Sequence, residues 1–582
     1  MAGTPTTEID LTGIMVTEPV PLGDWLVVAP VALCLAWGAL HLMLRKDVSR
    51  QAALAVAGLL ALVAIDALLL LRVHELGPIT MTMGRWLPPF GIAFTVDMLG
   101  ALFALGAGVA SLAAGVFALA DIEGRLVRYG FWSFLFLMVG GVHGAFLTGD
   151  VFNLYVWFEV LLIASFGLII LGSEPEQIDG ATKYTFLNLA ATTLFLIGTA
   201  FLYGAAGTLN MADLALKLPL LGATAPVLTI GALYLLAFAM KAAAFPVNFW
   251  LPASYHTPRV VVSALFAGLL TKVGVYALLR SLLLVMPDAR DALAHVIAWI
   301  AIGTMITAAL GALAQTDLRR LLGYLVISGI GIMLAGLAIA TEAALAGTVF
   351  YAVHSIVVMT ALYMAAGAAG AMAGFSLAEP GGVYRRAGLL SFVTLLLFFA
   401  VAGLPPLTGF WPKAMLVRSA IDAEAPWLAG AILLNGFLVT IAVGRAFALR
   451  YWRPVPETPS SGPRPSPDPH PEPEHAPADE GVSAEGEDAF AAAKRRALAR
   501  PAGPPRRAVV PVAALAALVL ALGLYPEPLL ALAAEAGRGL LDPSAYLLSV
   551  FPDTTALSEA TALSEATVLS ETTAGIPGEA RR

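Results

Sequence analysis

The chain has 582 residues, 59% of them hydrophobic and 13% charged, whereas an ordinary globular protein carries about 25% charged residues. That balance excludes a soluble or nucleic-acid-binding chain and indicates a membrane protein. The net charge of −7 is set largely by the extramembrane tails and bears on solubility more than on partners, and the single cysteine, Cys34, excludes an intrachain disulfide and paired-thiol redox chemistry.

A spanning helix needs about 20 mostly apolar residues to cross roughly 30 Å of hydrocarbon. Fourteen segments meet that measure: 25–44, 52–73, 94–120, 130–147, 151–171, 184–206, 227–250, 260–283, 294–315, 320–340, 344–368, 389–421, 425–449 and 508–536. The first 24 residues hold no Lys or Arg and so lack the basic start of a cleaved signal peptide, which leaves the first helix as its own insertion signal. Basic residues collect in cytoplasmic loops. With the N-terminus outside, the inner loops receive Arg45, Lys46, Arg50, Arg125, Arg128, Lys183, Arg259, Arg319, Arg320, Arg385 and Arg386. Both termini are therefore expected on the outer side of the membrane.

Two segments share an unusual composition: "AMKAAAFPVNFWLP" in the seventh and "AGLPPLTGFWPK" in the twelfth each join a proline interruption to a lysine. Proline removes a helical donor and clashes one turn back, and paired broken helices in corresponding halves of a membrane protein point to a transport site. Helices four to eight and nine to thirteen then form two five-helix units, each with its fourth helix broken, and an odd number of helices per unit makes the repeat inverted. The expected fold is all-α and polytopic. It comprises an outer segment (1–24), helices one to three (25–129), a first repeat (130–283), a second repeat (294–449), a disordered Pro-rich cytoplasmic loop (450–507), a last helix (508–536) and a low-complexity tail (537–582). The end of that loop, "EDAFAAAKRRALAR", suits either a helix lying on the membrane surface or a solvated charged segment, and the tail's short repeat carries no function.

Five ionisable residues stand inside apolar segments: Glu159, Lys241, Lys272, His354 and Lys413. Glu159 lies about 12 Å into its helix at 1.5 Å per residue. An ionised side chain at such depth costs at least about 2.5 to 3.5 kcal/mol unless it finds partners or water. In one reading they form a proton-carrying row in which a Glu159–Lys241 ion pair tunes a neighbouring lysine; in the other, that pair is a static clasp, Lys413 snorkels to an interface and His354 is satisfied by a hydroxyl or carbonyl. His143 and Asp150 flank a loop as cap or rim groups, and Asp317 in "QTDLRRLL" reads as a helix cap. No nucleotide fingerprint, Cys cluster or haem-spaced His pair occurs, so no cofactor is expected.

"TGDVFNLYVWFEVLLIASFGLIILG", "KAAAFPVNFWLPASY", "VSALFAGLLTKVGVYALLR", "DLRRLLGYLVISGIGIML" and "LPPLTGFWPK" resemble the antiporter-like membrane subunits shared by Mrp-type cation/proton antiporters and respiratory complex I, and among them the D-type Mrp subunits. The likeness covers roughly residues 25–450 and the last helix. It implies a secondary transporter subunit rather than an enzyme, working with other membrane subunits of a hetero-oligomeric assembly that exchanges sodium for protons. It places Glu159 as the fifth-helix glutamate, Lys241 as its paired lysine, Lys272 as the central lysine and Lys413 as the terminal one. Complex I relatives often carry histidines where Asn248 and Phe266 stand and a lysine near Met359, which leaves His354 as the titratable link between Lys272 and Lys413. Two other readings remain: a proton-pumping subunit of a complex I or membrane-hydrogenase relative, and a non-transporting scaffold that holds a soluble partner through the 450–507 loop.

Overall fold

The computed structural model describes residues 15–16, 19–221, 226–454, 503 and 506–551. Nearly all of the Pro-rich loop, including its basic end, and the tail repeat lie outside them. Each expected segment falls on an apolar helix: α1 (Ala29–Met43), α2 (Val48–Leu76), α3 (Met98–Asp121), α4 (Phe131–Leu147), α5 (Val151–Ile169), α6 (Pro175–Ala206), α7 (Val227–Ala242), α8 (Val260–Val285), α9 (Pro287–Ala314), α10 (Leu318–Ile339), α11 (Glu342–Ala373), α12 (Gly388–Ala402), α13 (Pro426–Trp452) and α14 (Arg506–Leu524). Ten of these are long and apolar enough to cross a membrane, and α1, α4, α7 and α12 are shorter apolar helices. After a break, α7 is continued by Trp250–Ser254 and α12 by Phe410–Asp422.

Local sequence sets where the helices start. Asp47, Asp97, Asp150, Asp317 and Thr341 each accept a backbone N–H of the following turn, and Glu174 with Gln177 forms a capping box. Asp150 and Asp317 thus fill the cap roles expected of them, and Pro175, Pro287 and Pro426 stand where a missing N–H costs nothing.

Helices α8 and α11 form the centre, with 94% and 89% of their apolar windows buried, against 33% for α2 and 39% for α6 and α14. Groups on α8 and α11 therefore lie farthest from the surroundings. Helix α8 also contains two π-turns, Phe266–Leu270 and Arg280–Val285, and a third ends α13 at Ala448–Trp452.

Three segments depart from expectation. Residues 94–96, expected to open the third helix, belong instead to β2 (Ala93–Val96), paired antiparallel with β1 (Ile79–Thr82) from Ile79↔Val96 to Thr82↔Ala93. The sixth helix begins nine residues earlier than residue 184, at Pro175. The expected last helix is two: α14 ends at Leu524, and Glu527–Leu541 follows Pro526, because proline disfavours a helical residue before it and supplies no donor. This second helix buries Leu529, Ala533, Ala536 and Leu540, a spacing of three and four residues that lines one face. It is tied to α11 by Arg538–Glu342 at 3.0 Å and to α2 by Glu535–His74 at 3.0 Å. A further helix, Ser544–Val550, begins within what was expected to be a structureless tail and reaches the hairpin, where the Ser549 and Thr80 hydroxyls are 2.8 Å apart.

At the hairpin end, Arg280 forms a bidentate ion pair with Asp97, both buried, and lies over the rings of Tyr276 and Tyr546. Removing one member of a buried pair strands the other charge, at a cost of about 3 to 5 kcal/mol, whereas an apolar or neutral pair of similar volume is often tolerated. Asp97→Asn and Arg280→Met are each expected to lower the amount of folded protein sharply, and the double variant to recover part of it; quantitative immunoblotting of membranes checks this.

Burial pushes the Asp150 carboxyl up to about 6 from 3.8, against the lowering effect of the Asn153 and Phe152 N–H groups. A raised folded-state value makes the native state bind an extra proton between about pH 4 and 6, so the stability tied to Asp150 is present below 4 and lost as pH rises through 6. Asp150→Asn keeps a capping side chain without the charge. It is expected to melt higher than the parent above pH 7, by an increment on the order of 3 kcal/mol at most, with the advantage vanishing by pH 4; thermal melts of the solubilised protein across this range test it.

Candidate functional site

The two breaks are alike. Ala243 (φ 61°) ends α7 and Gly403 (φ 86°) ends the first part of α12, both left-handed, and each break contains a cis peptide, before Pro246 and Pro406. Some freed backbone groups are recaptured: Thr304 Oγ1 accepts from Phe245 N at 2.9 Å, and Trp250 Nε1 donates to Met240 O at 3.1 Å. Irregular backbone at this depth persists only where protein or water satisfies it.

Lys241 sits in the last turn of α7 rather than mid-helix, and its Nζ donates to Thr192 Oγ1 on α6 at 2.8 Å while lying 4.6 Å from the Phe158 ring centre. Lys272 is fully buried, and its Nζ donates to Ala267 O at 2.6 Å. That carbonyl is five residues back, within the Phe266–Leu270 π-turn, which loosens the regular i to i−4 ladder and so makes a carbonyl available. On α11, His354 Nδ1 meets Thr408 Oγ1 at 2.6 Å, and Thr408 belongs to the α12 break. Lys413 does not reach toward an interface: its Nζ turns back to donate to Val401 O and Ala402 O, both at 2.8 Å, capping the carbonyls left open where α12 stops. The hydroxyl contact foreseen for His354 is thus present. The three lysines are hydrogen-bonded to neutral oxygens.

The expected Glu159–Lys241 ion pair is not formed as a direct contact. Glu159 is partly buried, its Oε1 has no hydrogen-bond partner, and no salt bridge among the described residues includes it. The reason is helical: Phe158 is the residue of α5 that faces Lys241, and the next residue points about 100° away around the axis. Glu159 acts on Lys241 through its field instead. His143 is corrected more strongly. It is no rim group but lies fully buried inside α4, with Nε2 3.1 Å from Asp66 Oδ2 on α2. Asp66 escaped notice, although a lone carboxylate in "LLALVAIDALLLL" was a signal of the same kind as Glu159. Thr192, Thr408 and the π-turn carbonyl also went unnoticed, and no composition marks them.

A small cavity of about 10 Å³ adjoins Lys241 between Asn188, Tyr184, Trp250 and Leu270, the size of about one water. Leu270, the last residue of the Phe266–Leu270 π-turn, lines it. At the other end of the row, a cleft of about 690 Å³ between the second part of α12 and α13 has Lys413 among its lining residues, with Gly403, Val417 and Phe437. A polar hollow of about 300 Å³ at the Val260 end of α8 gathers Asp121, Glu174, Glu176, Arg259 and Arg319.

Residues 148–439 match the family model described as "NADH:quinone oxidoreductase/Mrp antiporter, TM". The chain is 33% identical over 530 residues to a protein from Alkalihalophilus pseudofirmus named as the D-type subunit of a Na(+)/H(+) antiporter, an alignment covering 91% of this chain and 99% of that one. It is 35% identical over 439 residues to the Bacillus subtilis protein of the same name, covering 75% and 89%. A chain in the structure of the Mrp complex from Dietzia sp. superposes with a TM-score of 0.79 at 28% identity, over 91% of this chain and all of that one.

A methyl group on Gly403 meets Lys413 Cδ at 2.6 Å, at a φ of 86° that side chains resist. Gly403→Ala is therefore expected to cost about 1 to 3 kcal/mol and to displace Lys413, whereas Gly388→Ala, with nothing within 4 Å, serves as a control; thermal melts of both variants distinguish the two.

Proposed function

The chain belongs to the NADH:quinone oxidoreductase/Mrp antiporter transmembrane family, and on that premise we propose that it is the proton-carrying subunit of a multi-subunit Na+/H+ antiporter. Its relatives' names and the Mrp fold neighbour support the assembly; the arrangement of the buried lysines supports the role. Protons pass along Lys241, Lys272, His354 and Lys413. The observation that carries this reading is that the buried lysines are held by hydroxyl and carbonyl oxygens, with no carboxylate among the described residues bonded to them. A lysine held in this way gives up its proton without leaving a bare anion beside it, whereas one clasped by a carboxylate does not.

Each residue then has a distinct part. Lys241 exchanges its proton with water in the 10 Å³ cavity, and the Thr192 hydroxyl follows, accepting from the ammonium and donating to the amine. Glu159 biases Lys241 by charge at a distance. Lys272 relays toward α11, where His354 and Thr408 bridge to the α12 break, and Lys413 delivers the proton at the cleft beside α13. The subunit is a transporter component without its own redox centre, set in a bacterial cytoplasmic membrane beside other membrane subunits, both termini outside, with helices four to eight and nine to thirteen as inverted repeats.

Membrane vesicles containing the whole complex test this. Lys241→Ala, Lys272→Ala and Lys413→Ala are each expected to reduce sodium-driven proton movement to the background of vesicles lacking the complex, with assembly intact on native gels, and Glu159→Gln to leave a slower exchange. Normal exchange in all three lysine variants would move the chain to the scaffold reading.

A further inference from the structure

Outside the lysine row, the most enclosed ionisable pair in the membrane helices that this mechanism leaves unused is Asp66 with His143. We propose that it is a second proton-binding site, which releases and retakes its one shared proton during transport. The proposal rests on the reading of the chain as a proton-carrying subunit and adds a site to it.

Both side chains are fully buried, Asp66 on α2 and His143 on α4, with Nε2 and Oδ2 3.1 Å apart. The other ring nitrogen fixes the tautomer. Nδ1 lies 2.9 Å from Val139 O, and a carbonyl only accepts, so Nδ1 keeps its hydrogen. The one exchangeable proton therefore lies between Nε2 and Oδ2. With it the pair is neutral overall; when the proton passes to an entering water molecule, the imidazole is neutral and the carboxylate is left with one negative charge.

Asp66 is only half satisfied. Its Oδ1 is buried without a partner, and so is the hydroxyl of Ser111 on α3, about one turn from Gly108. A buried ion pair serving only as a clasp gains from satisfying both carboxylate oxygens, because an unmatched polar atom in hydrocarbon is costly. An oxygen left waiting suits a group whose second partner arrives in another state. Gly108 lets α3 approach the paired oxygen, since a methyl there would collide with Asp66 Oδ2. Around the pair, α1 contributes Cys34, α3 the Ala104 carbonyl and Gly108, and α2 its own Val63, with no other charged group facing it among the described residues. An ionisable pair within membrane helices is costly to bury and for that reason invites a functional explanation. This one joins α2 to the helix that opens the first five-helix unit, so a change in its charge alters how firmly the two are held.

The test uses the complete complex in vesicles, with the amount of assembled complex measured for each variant. Asp66→Asn and His143→Gln are expected to assemble and to lose most of the sodium-driven proton movement. Asp66→Glu, which keeps the acid but moves it by a methylene, is expected to retain exchange with its pH profile displaced upward by roughly 0.4 pH unit or more, since Glu is intrinsically the weaker acid. If Asn and Gln variants exchange at the parental rate, or if the Glu variant has the parental profile, the pair is a static clasp and the proposal falls; the Glu variant decides alone should the other two fail to assemble. Lys272→Ala is measured alongside. Loss of exchange there with no effect at Asp66 overturns only this inference, while parental exchange in Lys272→Ala overturns the proton-carrying reading itself.

Discussion

A positive charge removed from water must be given oxygen atoms, and this requirement accounts for part of the irregular backbone in the molecule. Within a continuous α-helix each carbonyl already accepts an N–H four residues on, so an ammonium group is better served where that ladder is interrupted. Lys272 finds a carbonyl in a π-turn, Lys413 finds two where α12 stops, and Arg450 takes the Ser376 and Glu379 carbonyls beside the π-turn that ends α13. Lys241, next to a break but not bonded to it, uses a hydroxyl from a neighbouring helix. Distortion of the helices and placement of the cations are thus one feature, and the near-complete enclosure of α8 and α11 is what permits it, because loosened backbone facing lipid would have nothing to bond to.

The buried cations divide by the kind of partner they have. Arg280 has a carboxylate in bidentate contact and two tyrosine rings beside it; it cannot lose its proton, and the pair holds its shape. The lysines have neutral oxygens and no carboxylate in contact. Glu159 stays apart from Lys241 and retains an unbonded oxygen, so the two carry opposite charges without closing into a bonded pair.

Much of this was legible in the sequence for a simple reason: apolar runs of spanning length and isolated charges within them are both conspicuous against an 87% uncharged background. The helices, the two breaks and the buried positions of Lys241, Lys272, His354 and Lys413 follow from that contrast. What escaped depends on rotation and on short-range backbone geometry. That Phe158 rather than Glu159 faces Lys241 is a matter of one residue's turn around α5. The π-turns have no compositional mark, the hairpin of four-residue strands is too short to compete with the helix signal beside it, and His143 was misplaced because it stands near a loop in sequence while packing against α2 in space.

The segment after α14 bears on how the protein folds. Glu527–Leu541 bridges α11 to α2, and Ser544–Val550 brings Tyr546 over Arg280 against the hairpin between α2 and α3. Contacts this far apart in sequence must meet the entropy of closing a long loop before they return any stability. The hairpin end is therefore closed late in folding, by residues that are its neighbours in space and not along the chain.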